Sequence, residues 1–458
     1  MARPTTINRK NLTALLRARA PISATELAAV MGVNRTTALR SLAGFGGDLV
    51  RLGETRRTRY ALRRSIRESG SQWEVWQFDG NGTAYEWARL EALHDRLWRV
   101  RWSAETPAWA PHFSDAEGLW EGFPFFLADG RPQGFLGRSM ARNCSQSLQV
   151  PADPRQWTDD DTVVFMHHEG VDLPGALVFG GTTLDRALTR IASCAGDEES
   201  SYPARAAQAA EMMPGTSAGG EQPKFAVVAR SATGIARHLL VKFSPPLDQP
   251  TGRRWADLLL AEAHAHSFLS TVGLANSAAR VLDREGRRFL EVPRFDRTAS
   301  GGRLGIVSLE ALHAAAIGVP DGRWAEAVES LRQAGLTDEG AVTTARRLQT
   351  FGELIGNTDM HAGNLSFWLD NSLPFRVAPA YDMLPMLWAP GPQGELTGRM
   401  FAPPAPSTMN RDEWQEIAGW AEQYWRGLLD EPRLSAEFTK MAESALATVT
   451  AMASSRSR

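Results

Sequence analysis

The stretch Gly356-Asn357-Thr358-Asp359-Met360-His361-Ala362-Gly363-Asn364 decides how the rest of the chain is read. Asp359 and Asn364 have the D-x-x-x-x-N spacing of a phosphotransfer loop, in which the aspartate accepts a hydroxyl proton and the asparagine holds a metal ion. Val342, Ala345, Leu348, Phe351 and Leu354 fall along one helical side just before it, so a helix delivers the chain to this loop. Leu365 to Leu369 and Phe375 to Ala378 predict two strands joined by a tight turn at Asp370-Asn371-Ser372. That hairpin returns Tyr381 and Asp382 to the neighbourhood of Asn364. An asparagine and an aspartate at its open end make a hard-oxygen site suited to Mg²⁺ carried by ATP phosphates. His361 either contacts the nucleotide or braces the loop, and nucleotide contact is the preferred reading.

Working upstream, Ser217-Ala218-Gly219-Gly220-Glu221-Gln222-Pro223-Lys224 is a small-residue loop running into a strand from Phe225 to Ala229. Paired glycines let backbone amides approach phosphate oxygens and a lysine adds charge. Alone the signal is weak, since most Gly-Gly turns are only turns. The next strand, His238 to Phe243, places Lys242 among apolar residues, an awkward site for an unpaired ammonium. A helix expected from Arg254 to Val272 carries Leu258, Ala265, Leu269 and Val272 on one stripe, and Glu262 falls inside it. A carboxylate there needs a cation, and Lys242 is the candidate. A strand lysine paired to a helix glutamate is how kinase folds hold a lysine against ATP phosphates. His264 and His266 are two apart and do not share a helical face, while His167 and His168 are read as surface residues.

At 458 residues the chain should contain several cores. Its 43% hydrophobic and 22% charged residues are globular averages, and no apolar run is long enough to span a bilayer. No secretory signal is evident, and Cys144 and Cys194 support neither a disulfide framework nor a zinc site, so the cytoplasm is the expected compartment. Charge is segregated: residues 1–64 hold thirteen Arg and Lys against three acids, leaving thirty-seven basic and forty-nine acidic residues for the remainder. A basic head on an acidic body points to nucleic acid.

The head has its own pattern. Leu12, Leu15 and Leu16 mark one helical face; Ser23 and Glu26 form a capping box ahead of a second helix ending at Gly32; Asn34 caps a third from Arg35 to Ala43. Leu49 to Leu52 and Thr58 to Leu62 read as a two-stranded wing. This resembles winged helix-turn-helix regulators. Arg35, Thr36, Thr37 and Arg40 are the candidates for base edges, with Arg56, Arg57 and Arg59 of the wing for phosphates. One small head binds DNA weakly, and a homodimer on a two-fold site would be the usual remedy. Arg64 to Gln72 is expected to be a linker, as is Asp197 to Arg205. Between them lies mixed α/β sequence whose tryptophans, part of fifteen in the chain, are read as core filling.

Residues from about 160 to 430 resemble the HipA family of bacterial serine/threonine protein kinases, the toxins of type II toxin–antitoxin systems. The motifs are Ser217 to Lys224, Leu240-Val241-Lys242-Phe243, Pro293-Arg294-Phe295-Asp296-Arg297, Ile355 to Asp359 with Asn364, and Pro379-Ala380-Tyr381-Asp382. The resemblance implies Asp359 as catalytic base, Asn364 and Asp382 as Mg²⁺ ligands and Lys242, paired with Glu262, as the phosphate-contacting lysine. It implies a phosphate loop over Gly219, Gly220, Glu221, Gln222 and Lys224, and an adenine contact at the hinge formed by Pro293, Arg294 and Phe295. Tyr381 and His361 complete the expected ATP site. Ser217 falls where family members autophosphorylate, and phosphate there should expel the loop. Family substrates are aminoacyl-tRNA synthetases, and family kinases work with a DNA-binding antitoxin. Pro223, where an acidic residue is usual, and the head fused in the same chain are departures.

The expected fold is therefore α/β (α+β): a winged helix-turn-helix over 1–66, then a two-lobed HipA-like kinase fold. Its body divides into a subdomain over 67–200, an N-lobe core over 201–300 and a helical C-lobe over 301–450. A DNA-binding regulator with an inactive kinase fold, a small-molecule phosphotransferase and an antitoxin-like module remain open as alternatives.

Overall fold

The computed structural model describes residues 8–54, 57–193, 196–212, 222–230, 236–276, 279–320, 322–391, 393–396, 398–405 and 409–455. Arg56, Ser217, Gly219, Gly220 and Glu221 among the expected site residues lie outside them, as does Cys194.

In the head, α1 (Arg9–Ala18), β1 (Ile22–Ser23), α2 (Ala24–Met31), α3 (Arg35–Ala43), β2 (Leu49–Leu52) and β3 (Arg59–Leu62) follow in order. The helices start where their caps place them. Asn8 accepts from the Lys10 amide, Ser23 and Glu26 close a reciprocal box, and Asn34 accepts from the Thr37 amide. Each such cap is worth about 1 kcal/mol. Gly32 ends α2 at φ +65°, a conformation glycine adopts without strain. The strands form an antiparallel sheet in the order β1-β3-β2; two residues carry no alternation, so β1 is invisible to sequence pattern.

The middle unit is an antiparallel sheet in the order β7-β6-β5-β4-β8, built from β4 (Gln72–Phe78), β5 (Ala84–Ala92), β6 (Leu97–Trp102), β7 (Leu119–Glu121) and β8 (Leu177–Phe179). Helices α4 (Phe125–Ala128), α5 (Gly134–Leu148), α6 (Asp159–Glu169) and α7 (Gly181–Ser193) accompany it. Trp87, Trp102, Trp109, Phe125 and Phe126 pack as an aromatic cluster, with Trp87 edge-on to Trp102 at 4.8 Å between ring centroids. Aromatic pairs favour that geometry.

The expected linker at Arg64 to Gln72 is instead a seam. Ile66 is buried in the main core, the Arg64 amide donates to the Ala92 carbonyl at 2.9 Å, and Arg64 and Arg67 pair with Asp160 and Asp161. Head and body also share a small core of Ala20, Val50, Leu52 and Ala61 with Leu93 and Leu119.

The second expected linker is structured as well. Asp197 binds the Val228 backbone, and α8 (Tyr202–Met212) covers one face of an antiparallel sheet in the order β11-β12-β10-β9. Its strands are β9 (Lys224–Arg230), β10 (Ala236–Phe243), β11 (Arg280–Arg284) and β12 (Arg287–Pro293). Tyr202 donates to the fully buried Glu291 at 2.8 Å. Helix α9 (Pro250–Thr271) begins earlier than its apolar stripe suggests because Pro250 opens its first turn. Beyond come β13 (Ile306–Ser308), α10 (Leu309–Ala316), α11 (Trp324–Gln333), α12 (Glu339–Leu354), β14 (Ser366–Trp368), α13 (Arg411–Leu429) and α14 (Ala436–Ser455). The predicted hairpin is reduced: β14 pairs mainly with β13, and the returning segment makes a single bridge, Phe367 with Val377. No described helix is long and apolar enough to cross a membrane.

Candidate active site

The site lies where β10, α9 and the segment after β14 converge. Lys242 on β10 is 2% exposed and pairs with Glu262 of α9 as expected, while its ammonium also meets Asp382 Oδ1 at 2.6 Å. Lys224, at the start of β9, lies 3.9 Å from the other Asp382 oxygen. Burial would lower the Lys242 pKa, but Asp382 and Glu262 reverse this and hold it above the ordinary lysine range. For Asp382 burial would raise the carboxyl; Lys242 and Lys224 outweigh it and keep it far below the usual carboxylate range. Burial pushes Glu262 up against the pull of Lys242. Two cations against two carboxylates thus balance in a largely buried cluster, and Asp382 sits at φ +54°, a strained left-handed conformation for a non-glycine residue.

The catalytic-loop candidates are held by an asparagine, Asn357, that no sequence pattern singles out. Asn357 is 4% exposed; its amide nitrogen donates to the Asp382 carbonyl at 3.2 Å and its oxygen accepts from the Asp359 amide at 3.1 Å. One side chain therefore fixes the backbone of both acidic residues. Asn364 donates to the Asp359 carbonyl at 2.7 Å, which ties the two ends of the loop together. Asp359 itself is exposed at the surface. His361 makes loop contacts: Nδ1 accepts from the Gly363 amide at 3.1 Å, and its carbonyl accepts from Trp324 Nε1 at 2.9 Å. Tyr381 donates to the Gly363 carbonyl at 2.7 Å and lies 2.8 Å from the Ser366 hydroxyl, linking the segment of Asp382 to the loop.

The hinge motif divides in two. Phe295 stacks on Tyr381 at 5.9 Å between ring centroids, against the segment that carries Asp382, and Pro293 pairs with Leu239 across the sheet. The Arg294 side chain turns away. It joins Arg297 in binding Asp172 and Asp296 at 2.8 to 2.9 Å, a buried network that ties β12 to the middle unit. Beside it, burial and these arginines lower the His238 pKa to about 4. Gln222 is buried and its amide nitrogen has no hydrogen-bond partner among the described residues.

On the head, Arg35, Thr36, Arg40 and Arg57 are exposed and Thr37 half-buried. Arg59 is engaged by the body: it pairs with Asp115 at 2.7 Å, and the neighbouring Glu117 accepts from the Gly53 amide at 2.7 Å.

Comparison with known proteins follows this division. Residues 69–188 match the family described as YjjJ-like toxin, middle domain, and residues 216–452 match the HipA-like C-terminal domain. The protein described as Toxin YjjJ of Escherichia coli (strain K12) is 34% identical over 439 residues, covering 92% of this chain and 94% of that one. Among solved structures, the Shewanella oneidensis MR-1 toxin–antitoxin system HipA, HipB and operator DNA complex contains a chain 16% identical, covering 83% of this chain and 96% of that chain at a TM-score of 0.48. The Helicobacter pylori proinflammatory kinase CtkA is 13% identical, covering 50% of this chain and 90% of that one at a TM-score of 0.32.

Proposed function

This chain belongs to the HipA-like toxin family, and on that premise we propose that it is a serine/threonine protein kinase which transfers the γ-phosphoryl of Mg-ATP to a protein hydroxyl. The carrying observation is the conjunction of Lys242, Glu262 and Asp382 with a loop that presents Asp359 and Asn364 beside them. Lys242 spends two of its three N–H donors on carboxylates, leaving one for a phosphate oxygen. The orphaned Gln222 amide and Lys224 supply further donors at the start of β9, which fits an anionic ligand there.

Asn364 and Asp382 would hold Mg²⁺ through oxygen, and the ion would neutralise charge on the β- and γ-phosphates. Asp359 accepts the proton of the acceptor hydroxyl as the oxygen–phosphorus bond forms. The bond from Pγ to the bridging oxygen breaks, and ADP leaves with that electron pair. Autophosphorylation of Ser217 and an aminoacyl-tRNA synthetase as substrate belong to this same reading, as does an antitoxin partner. Exposed Arg35, Thr36, Arg40 and Arg57 support DNA binding by the head as a winged helix-turn-helix.

Purified chain should be given γ-labelled ATP with Mg²⁺, and label followed into protein and into small alcohols. Label in protein, lost in Asn364→Ala, is the expected result. Label confined to a small alcohol would make the chain a metabolite phosphotransferase, and nucleotide binding without any transfer would make it a nucleotide-sensing regulator.

A further inference from the structure

Seven large apolar side chains stand exposed among the described residues, and three of them lie on segments that are fastened to the loop of Asp359. Val319 is 86% and Ile317 51% exposed in the turn after α10; Met400 is 83% exposed on the other flank. Both flanks are fastened to the loop. Trp324, just beyond that turn, holds the His361 carbonyl, and Phe401, next to Met400, lies 3.4 Å from where a Cβ on Gly356 would stand. A single exposed apolar residue needs no explanation, but several on segments fastened to one loop do.

On the α10 flank, where Ile317 and Val319 stand, two carboxylates lack a cation among the described residues. Glu310, in the first turn of α10, brings Oε2 within 3.3 Å of where a Cβ on Gly363 would stand, and Glu326 Oε2 comes within 3.2 Å of where a Cβ on Gly322 would stand. Neither has an ion-pair partner among the described residues, whereas Glu353 nearby is neutralised by Arg323 at 2.7 Å. Uncompensated carboxylates beside exposed apolar groups complement a chain that carries cations on apolar stems.

Resting on the kinase reading, we propose that this face docks the acceptor as an extended protein segment. One apolar side chain packs on Ile317 and Val319, and a Lys or Arg faces Glu310. Together they present a Ser or Thr hydroxyl to Asp359.

The test uses the full chain with Mg-ATP and an array of degenerate peptides with a fixed Ser or Thr, comparing wild type with Glu310→Lys and Val319→Asp. Wild type should prefer a basic residue at one flanking position and an apolar residue at another, each by about tenfold. Glu310→Lys should turn the basic preference into an acidic one, and Val319→Asp should abolish only the apolar preference. Autophosphorylation and nucleotide affinity, read in parallel, should stay at the wild-type level in both. Peptides labelled without regard to their flanks, preferences untouched by the variants, or autophosphorylation with no peptide labelled would each overturn the docking face and leave the kinase reading standing. No phosphate on chain or peptide would remove the kinase reading, and the docking face with it.

Discussion

At the scale of single residues, the site turns on Lys242 and Asn357, and they differ in how legible they were. Lys242 with Glu262 was readable because each breaks an apolar pattern, one in a strand and one in a helical stripe, and a buried charge demands its opposite. Asn357 gave no such signal: its hydrogen bonds to the acidic residues go to their backbone atoms, one of them 25 positions away. Replacing Lys242 by Met leaves Glu262 and Asp382 without their shared cation, and breaking a buried pair of this kind costs about 3–5 kcal/mol. Urea denaturation should show the loss, with Lys242→Met plus Glu262→Gln recovering part of it. Asn357→Ala should lower kcat by about 10- to 100-fold with little change in the KM for ATP, because it loosens Asp359 and Asp382 rather than removing a ligand. A rise in KM at constant kcat would contradict that positioning role.

At the scale of elements, the buried pairing of Arg294 and Arg297 with Asp172 and Asp296 shows where sequence reading stops. The family resemblance alone placed Pro293 to Phe295 at a hinge. Nothing local could reveal that Arg294 reaches Asp172, 122 residues earlier in the chain. The same limit explains the two segments read as linkers, whose polar composition is spent on ion pairs with distant partners. This network has a pH consequence through His238, which stays neutral in the fold down to about pH 4. The unfolded chain takes up that proton near pH 6.5, so it binds more protons than the native state between the two values. Stability should therefore fall as pH drops from about 6.5 towards 4. Thermal melts over that interval should show a smaller fall in His238→Asn than in wild type. Equal slopes would mean that His238 titrates normally.

For the whole molecule, the arrangement of units bears on how a basic head and an acidic body act together. The head's helices were legible from their caps, and the charge segregation from a count. Their rigid attachment was not, because the shared core of Val50, Leu52, Leu93 and Leu119 depends on tertiary packing. The consequence is that Arg59, expected to meet phosphate, is already paired with Asp115. Asp115→Asn should free it, tightening duplex binding at low salt and steepening the dependence of affinity on salt by about one counterion. Binding isotherms at several salt concentrations that show no difference between Asp115→Asn and wild type would place Arg59 outside the DNA contact. The aromatic cluster extends the same continuity to the other end, where Trp109 donates to the Asp370 carbonyl at 2.8 Å, in the turn following β14.

The central claim is that these parts compose an active protein kinase, and the most direct measurement is intact mass with phosphopeptide mapping after incubation with Mg-ATP, with Asp359→Ala alongside. The account predicts at least one phosphate on the wild-type chain, mapped to Ser217 or a near neighbour, and none on the mutant, which still binds ATP. No phosphate on wild type despite measurable ATP binding, or equal phosphate on both proteins, would contradict it.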